Sequence, residues 1–155
     1  MKYARLTKEQ FEELHKEFIN FLATQSITGD EWEEIKTNKP EVAEQELDVF
    51  SDLVWEGVLS KVEYVEHISP QQMHLFHFNK KYMHVIAVKL KNDIDITTNE
   101  GFDWLRGNLM DDNVEFLQAK KDYSEDKNAD KFKLIHQGGA ITKGELYNYL
   151  NKLIN

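Results

Sequence analysis

The chain contains no cysteine among its 155 residues. That absence excludes disulfides, thiolate metal sites and thiol nucleophiles together, and it fits a reducing compartment. No run approaches the ~20 apolar residues of a membrane-spanning helix. The N-terminus, Met1-Lys2-Tyr3-Ala4-Arg5-Leu6, leads straight into a polar helix with no apolar signal stretch. The expectation is a cytoplasmic protein without membrane contact. No glycine-rich phosphate loop occurs, and Gly138-Gly139 reads as a helix end rather than a helix start. No Gly-x-Ser-x-Gly elbow exists, and Ser26, Ser51 and Ser60 have no histidine at suggestive spacing. No Gly/Pro/Ser-rich linker and no internal repeat interrupts the chain. One domain over residues 1–155 is expected, with no cofactor.

Hydrophobic residues make up 41% of the chain and 18 positions are aromatic, ample for a packed core. The net charge of −9 is unevenly placed. Residues 1–60 hold 14 acidic and 6 basic side chains, whereas residues 61–155 hold 14 and 13. An acidic half repels phosphates, so direct nucleic-acid binding through it is disfavoured. A solvated face that aids solubility and a docking surface for a basic protein both fit this distribution.

Helix starts carry the clearest local signal. Four times an apolar residue, a Ser or Thr, two spacers, a Glu or Gln and another apolar residue follow in order: at Thr7, Thr28, Ser69 and Thr142. This is a capping box joined to a hydrophobic staple. A fifth box at Thr97 lacks the staple because Gly101 occupies its second position. With Thr7 as cap, Phe11, Leu14, Phe18 and Leu22 predict a helix over about 8–24. A second helix follows Thr28 with Trp32 and Ile35. A third begins near Pro40 and runs to about 59, burying Ala43, Leu47, Phe50, Val54 and Val58.

Beyond residue 60 the pattern changes. Strands are expected over 61–68, 82–90 and 113–121, the second being apolar on both faces and β-branched. The Ser69 box, with Pro70 at the first helical position, predicts a short helix over 70–78. That leaves the first two strands either parallel through this helix or antiparallel with 70–78 as an elaborated turn. Further helices are expected near Thr97, after Ser124 and after Thr142, the last burying Leu146, Leu150 and Leu153. The expected class is α+β. An N-terminal three-helix layer (1–60) precedes a small, about three-stranded sheet flanked by helices (61–155).

Two constellations could carry chemistry. His67, His74, His77 and His84 fall within 18 residues. A strand over 70–78 would put His74 and His77 on opposite faces, and a helix would put them one turn apart. On the helical reading His74, His77 and His84 are candidate zinc ligands. The spacing lacks the i,i+4 pair and the glutamate of zincins, and a half-buried histidine bonded to a backbone carbonyl is the commoner outcome. Asp93 and Asp95 upstream of Gln118-Ala119-Lys120 are the second group. They are similar to the acidic, Gln and Lys set with which restriction-type nucleases hold magnesium. A helix between acid and strand departs from that pattern, and alternating polar residues on an edge strand account for it more simply. Trp32, Trp55 and Trp104 read as core anchors, any of which could face a partner.

Lys2 to Glu9, Glu17 to Leu22, Ile27 to Trp32, Val49 to Asp52 and the Gly139 to Thr142 element together resemble a family of short uncharacterised proteins of Bacteroidetes-type bacteria. The resemblance implies a cytoplasmic bacterial protein and no activity. With charge segregated and no catalytic constellation complete, the leading expectation is a non-enzymatic interaction or adaptor module. Its contact surface would be the acidic 1–60 helices, and its partner a basic protein. The alternative is a metal-dependent enzyme using either constellation. A homo-oligomer is compatible with both.

Overall fold

The computed structural model describes residues 1–155. It holds seven helices and a five-stranded antiparallel sheet, and no helix is long and apolar enough to cross a membrane. The chain divides into two compact units, Met1–Ser60 and Lys61–Asn155, at the point where the charge balance changes.

In the first unit, the helix expected over 8–24 is two helices, α1 (Lys8–Glu13) and α2 (His15–Thr24), separated at Leu14 with φ −101° and ψ 20°. The apolar stripe continues across the break, with Phe11, Leu14, Phe18 and Leu22 all reaching the same core. Both N-terminal capping signals are real. Gln10 N donates to Thr7 Oγ1 (3.2 Å) while Thr7 N donates to Gln10 Oε1 (2.8 Å), and Glu31 N donates to Thr28 Oγ1 (3.2 Å). Thr28 starts α3 (Gly29–Asn38), and Pro40 opens the long α4 (Pro40–Lys61). Phe18, Leu22 and Phe50 are buried at the centre, each stabilising the unit by about 1.5–3 kcal/mol relative to exposure. Aromatic edges pack there: Phe18 meets Trp32 at 5.2 Å and Phe50 at 5.1 Å between ring centroids, both near-perpendicular.

In the second unit the sheet comprises β1 (Tyr64–Ser69), β2 (Gln72–Phe78), β3 (Tyr82–Leu90), β4 (Val114–Asp122) and β5 (Ala140–Thr142), in the order β4-β3-β2-β1-β5. Segment 70–78 is therefore not a helix. Pro70-Gln71 forms a two-residue turn between β1 and β2, with Ser69 opposite Gln72. Ser69 Oγ donates to Gln72 O (3.2 Å) and caps no helix. The turn carbonyls are taken up by neighbours: Ile96 N donates to Pro70 O (2.9 Å) and Leu90 N to Gln71 O (2.8 Å). Proline at the first position of a turn and proline at the first position of a helix share the same φ and the same missing N–H. The local sequence is thus ambiguous. The downstream period decides, because Met73 and Leu75, two apart, are both fully buried.

Three other caps shift. Thr98 rather than Thr97 caps α5 (Asn99–Gly107), accepting from Gly101 N at 3.0 Å. Gly101 is required there, because a Cβ would lie 1.7 Å from Asp95 O. Asp126 rather than Ser124 caps α6 (Lys127–His136), while Ser124 Oγ donates to Asp130 (2.7 Å). Thr142 ends strand β5 and does not cap α7 (Glu145–Ile154), which starts after Gly144 in the left-handed region at φ 82°. Consequently α7 buries Tyr147 and Leu150, and Leu153 is 41% exposed.

One face of the sheet, with Met73, Leu75, Ile86, Val88 and Leu90, packs on α5 and α7 through Leu105, Tyr147 and Leu150. On the other face Val65, Phe78 and Met83 pack against Leu134 and Ile135 of α6.

Candidate functional site

Because β2 is a strand, its histidines separate. His74 lies opposite His67 of β1, and His77 lies opposite His84 of β3. A step of three reverses the face, so the four clustered histidines form two cross-strand pairs on opposite sides of the sheet. Of the expected trio His74, His77 and His84, the structure brings His77 and His84 together and places His74 across the sheet. No group of three His, Cys, Asp or Glu side chains forms a metal cage anywhere in the chain. Burial pushes both His74 and His77 below the ordinary imidazole value; His67 and Lys89 add to this for His74, and for His77 Glu63 opposes it while His84 adds.

The His77–His84 pair lies where α7 crosses the sheet. Its residues are Tyr147 from α7, Tyr64 from β1, and Gln118 and Lys120 from β4. Tyr147, 4% exposed, bonds His84 Nδ1 through its hydroxyl, and His84 Nε2 lies 3.0 Å from Gln118 Oε1. The Gln118 oxygen only accepts, so His84 carries its proton on Nε2 and accepts the phenol proton on Nδ1. Gln118 also exchanges two hydrogen bonds with Asn155 (both 3.1 Å). Burial, reinforced by Tyr64 and Tyr82, raises the Tyr147 phenol, so it remains a donor at neutral pH. His77 stacks on Tyr64, with centroids 4.6 Å apart and planes 9° from parallel. Tyr147 was not legible as a site residue; its only signal is its place in the α7 stripe with Leu150 and Ile154.

The nuclease-like set does not assemble around this point. Gln118 and Lys120 line a cavity with His77 and His84, of which Asp95 is no part. The Asp95 carboxylate accepts from Thr97 N (2.9 Å) and Thr97 Oγ1 (2.5 Å), and those bonds depress its pKa.

A second feature belongs to the first unit. Phe11, Phe18, Ile19, Leu22, Trp32 and Leu47 line a groove of about 640 Å³ among α1, α2, α3 and α4. Its rim carries Arg5, Lys8, Glu12, His15, Glu33 and Lys36, three basic side chains to two acidic ones. Ile19, on the α2 side, is 49% exposed. Three of the six basic side chains of this unit are already engaged: Arg5 with Glu44 and Asp48, Lys2 with Glu56, and Lys36 with Glu33. Glu12, Glu13, Glu17, Glu34 and Glu41 form no ion pair within the chain.

Over residues 1–155, its full length, the chain matches a family of unknown function, DUF6495, and belongs to it. No curated protein and no solved structure matches it.

Proposed function

We propose that this DUF6495 member is a protein-interaction module whose acidic helical unit receives a basic amphipathic helix in the α1–α4 groove. The observation that carries the reading is an open apolar groove in a unit whose 14 acidic side chains outnumber its 6 basic ones, with Glu12 on the groove's edge free of any ion pair. A helix laid in such a groove buries residues at i, i+3, i+4 and i+7. Its basic flanks would face Glu12 and Glu33 on the rim. Complementary charge sets encounter rate and partner choice, while the apolar contacts supply affinity. The resemblance noted in the sequence and the lack of cysteine support a bacterial, cytoplasmic setting for this reading.

The reading is tested with isotope-labelled protein and two peptides of identical composition. One is an amphipathic Leu/Lys helix, the other its scrambled isomer. Saturable shifts at Phe11, Ile19, Leu22 and Trp32 with the amphipathic peptide alone support the groove. Equal shifts with both peptides would reduce the interaction to charge and defeat it.

A second reading, a histidine metal enzyme, now rests on His77 and His84 alone. Both ring nitrogens of His84 are already engaged, which disfavours it.

A further inference from the structure

The cavity beside the histidine pair holds about 350 Å³ and is lined by His77, Asn79, Tyr82, His84, Gln118, Lys120, Tyr147, Asn151 and Asn155. No carboxylate side chain lines it, although the chain as a whole carries a net charge of −9. Four of its acceptors are committed. Gln118 Oε1, Asn155 Oδ1, Asn151 Oδ1 and His84 Nδ1 each already receive a proton from a neighbour. Its donors are not. Neither ring nitrogen of His77 is hydrogen-bonded within the chain, and the same holds for the Tyr82 hydroxyl and the Asn79 side-chain amide. Lys120 is held only over the Tyr82 ring, its Nζ 4.8 Å from the centroid.

A pocket with one ammonium, no carboxylate side chain and unengaged donors on His77, Tyr82 and Asn79 is complementary to a ligand rich in acceptors and negative charge. We propose that it binds a small oxyanion, a phosphate or compact carboxylate species, gripped by Lys120 and His77 with Tyr82 and Asn79 completing the contacts. The network around His84 serves as the rigid floor. Both His84 nitrogens are fixed, so Tyr147 and Gln118 hold their positions while His77 stays available. The C-terminal end of α7 reaches the same rim through Asn151 and Asn155. Its carbonyl dipole disfavours an anion, so the ligand is held from the β2–β4 side. This site lies within the second unit and is independent of the groove.

The test titrates the isotope-labelled full chain with inorganic phosphate and, separately, with citrate, each up to about 20 mM, above the millimolar Kd expected from one ion pair and a few hydrogen bonds. Sodium chloride at matched ionic strength and glycerol serve as controls. The expected result is saturable shifts at His77, Asn79, Tyr82 and Lys120 with one or both oxyanions. Which of the two saturates identifies the ligand as phosphate or carboxylate. Lys120→Ala should weaken binding about fivefold, the size of a partly exposed ion pair, with the rest of the spectrum unchanged. His77→Ala should weaken it as well. Shifts reproduced by sodium chloride, equal binding of glycerol, or unchanged affinity in Lys120→Ala would each overturn the proposal.

Discussion

His77 and His84 face one another directly across β2 and β3, yet their ring nitrogens are in opposite states. Both nitrogens of His84 are hydrogen-bonded, to Tyr147 and Gln118, and neither of His77 is. One member of the pair is structural and the other is accessible to a ligand.

Tyr147→Phe should therefore act on His84 first. Removing the hydroxyl leaves Nδ1 of a half-buried imidazole without its donor, at a cost of about 1–2 kcal/mol. Urea unfolding measures that loss. Histidine nitrogen NMR should show His84 protonated on Nε2 in the wild type and still so in the variant, because Gln118 Oε1 continues to accept there. A wild-type ring protonated on Nδ1 would contradict the assignment.

Stability should fall on mild acidification. His74 and His77 have folded-state pKa values below their ordinary 6.5, first because burial disfavours the charged ring. In the window just below pH 6.5 the unfolded chain binds more protons than the native one, so stability rises with pH there. It is fully present above that value and is lost as pH drops through the folded values. Glu66 works in the opposite sense. Its carboxyl is raised above 4.5, mainly by burial, so its contribution is present below that pH and is lost as pH rises through its folded value. Urea midpoints between neutral pH and pH 5.5 should decline, and the double variant His74→Gln/His77→Gln should flatten the slope.

The helix expected over 70–78 shows where local reading stopped. Thr7 and Thr28 are real caps, yet Ser69 and Thr142 match the same pattern and cap nothing. A capping box is a local signal, and a turn satisfies the same residues when the following segment pairs with a distant strand. The zinc trio inherited that error, since only a helix would bring His74 beside His77. Fold class was legible from the α1–α4 stripes and the β3 run. The edge strand β5 was not, because three residues carry too little periodicity. The groove's Phe11, Phe18 and Trp32 were legible as a helix face, but their incomplete covering emerges only from the packing of four helices.

Gly101→Ala should be strongly destabilising. Its Cβ would sit 1.7 Å from Asp95 O, a backbone atom, so α5 must move off the loop that holds Asp95. A loss of about 2–3 kcal/mol is expected from overpacking of this kind. Chemical denaturation checks it, with Gly107→Ala, where nothing lies within 4 Å, as the tolerated control.

Lys131 supplies a second stability test. It is 3% exposed, its Nζ donates to Val62 O (2.7 Å), and the ammonium lies 5.5 Å from the Phe78 ring centroid. Lys131→Met keeps the stem and loses the donor, so about 1–3 kcal/mol should be lost, the cost of an unsatisfied buried carbonyl. Equilibrium unfolding that moves less than about 0.5 kcal/mol, the usual surface scatter, would show the contact to be dispensable.

The apolar groove of the acidic unit is tested most directly by capture from native lysate at low salt by wild-type protein and by Ile19→Glu. Ile19 is half exposed, so the variant should keep its fold while placing a charge in the groove. A stoichiometric partner carrying a basic amphipathic helix, retained by wild type and lost with Ile19→Glu, is the predicted result. No such partner, or one held equally by both proteins, would contradict the account.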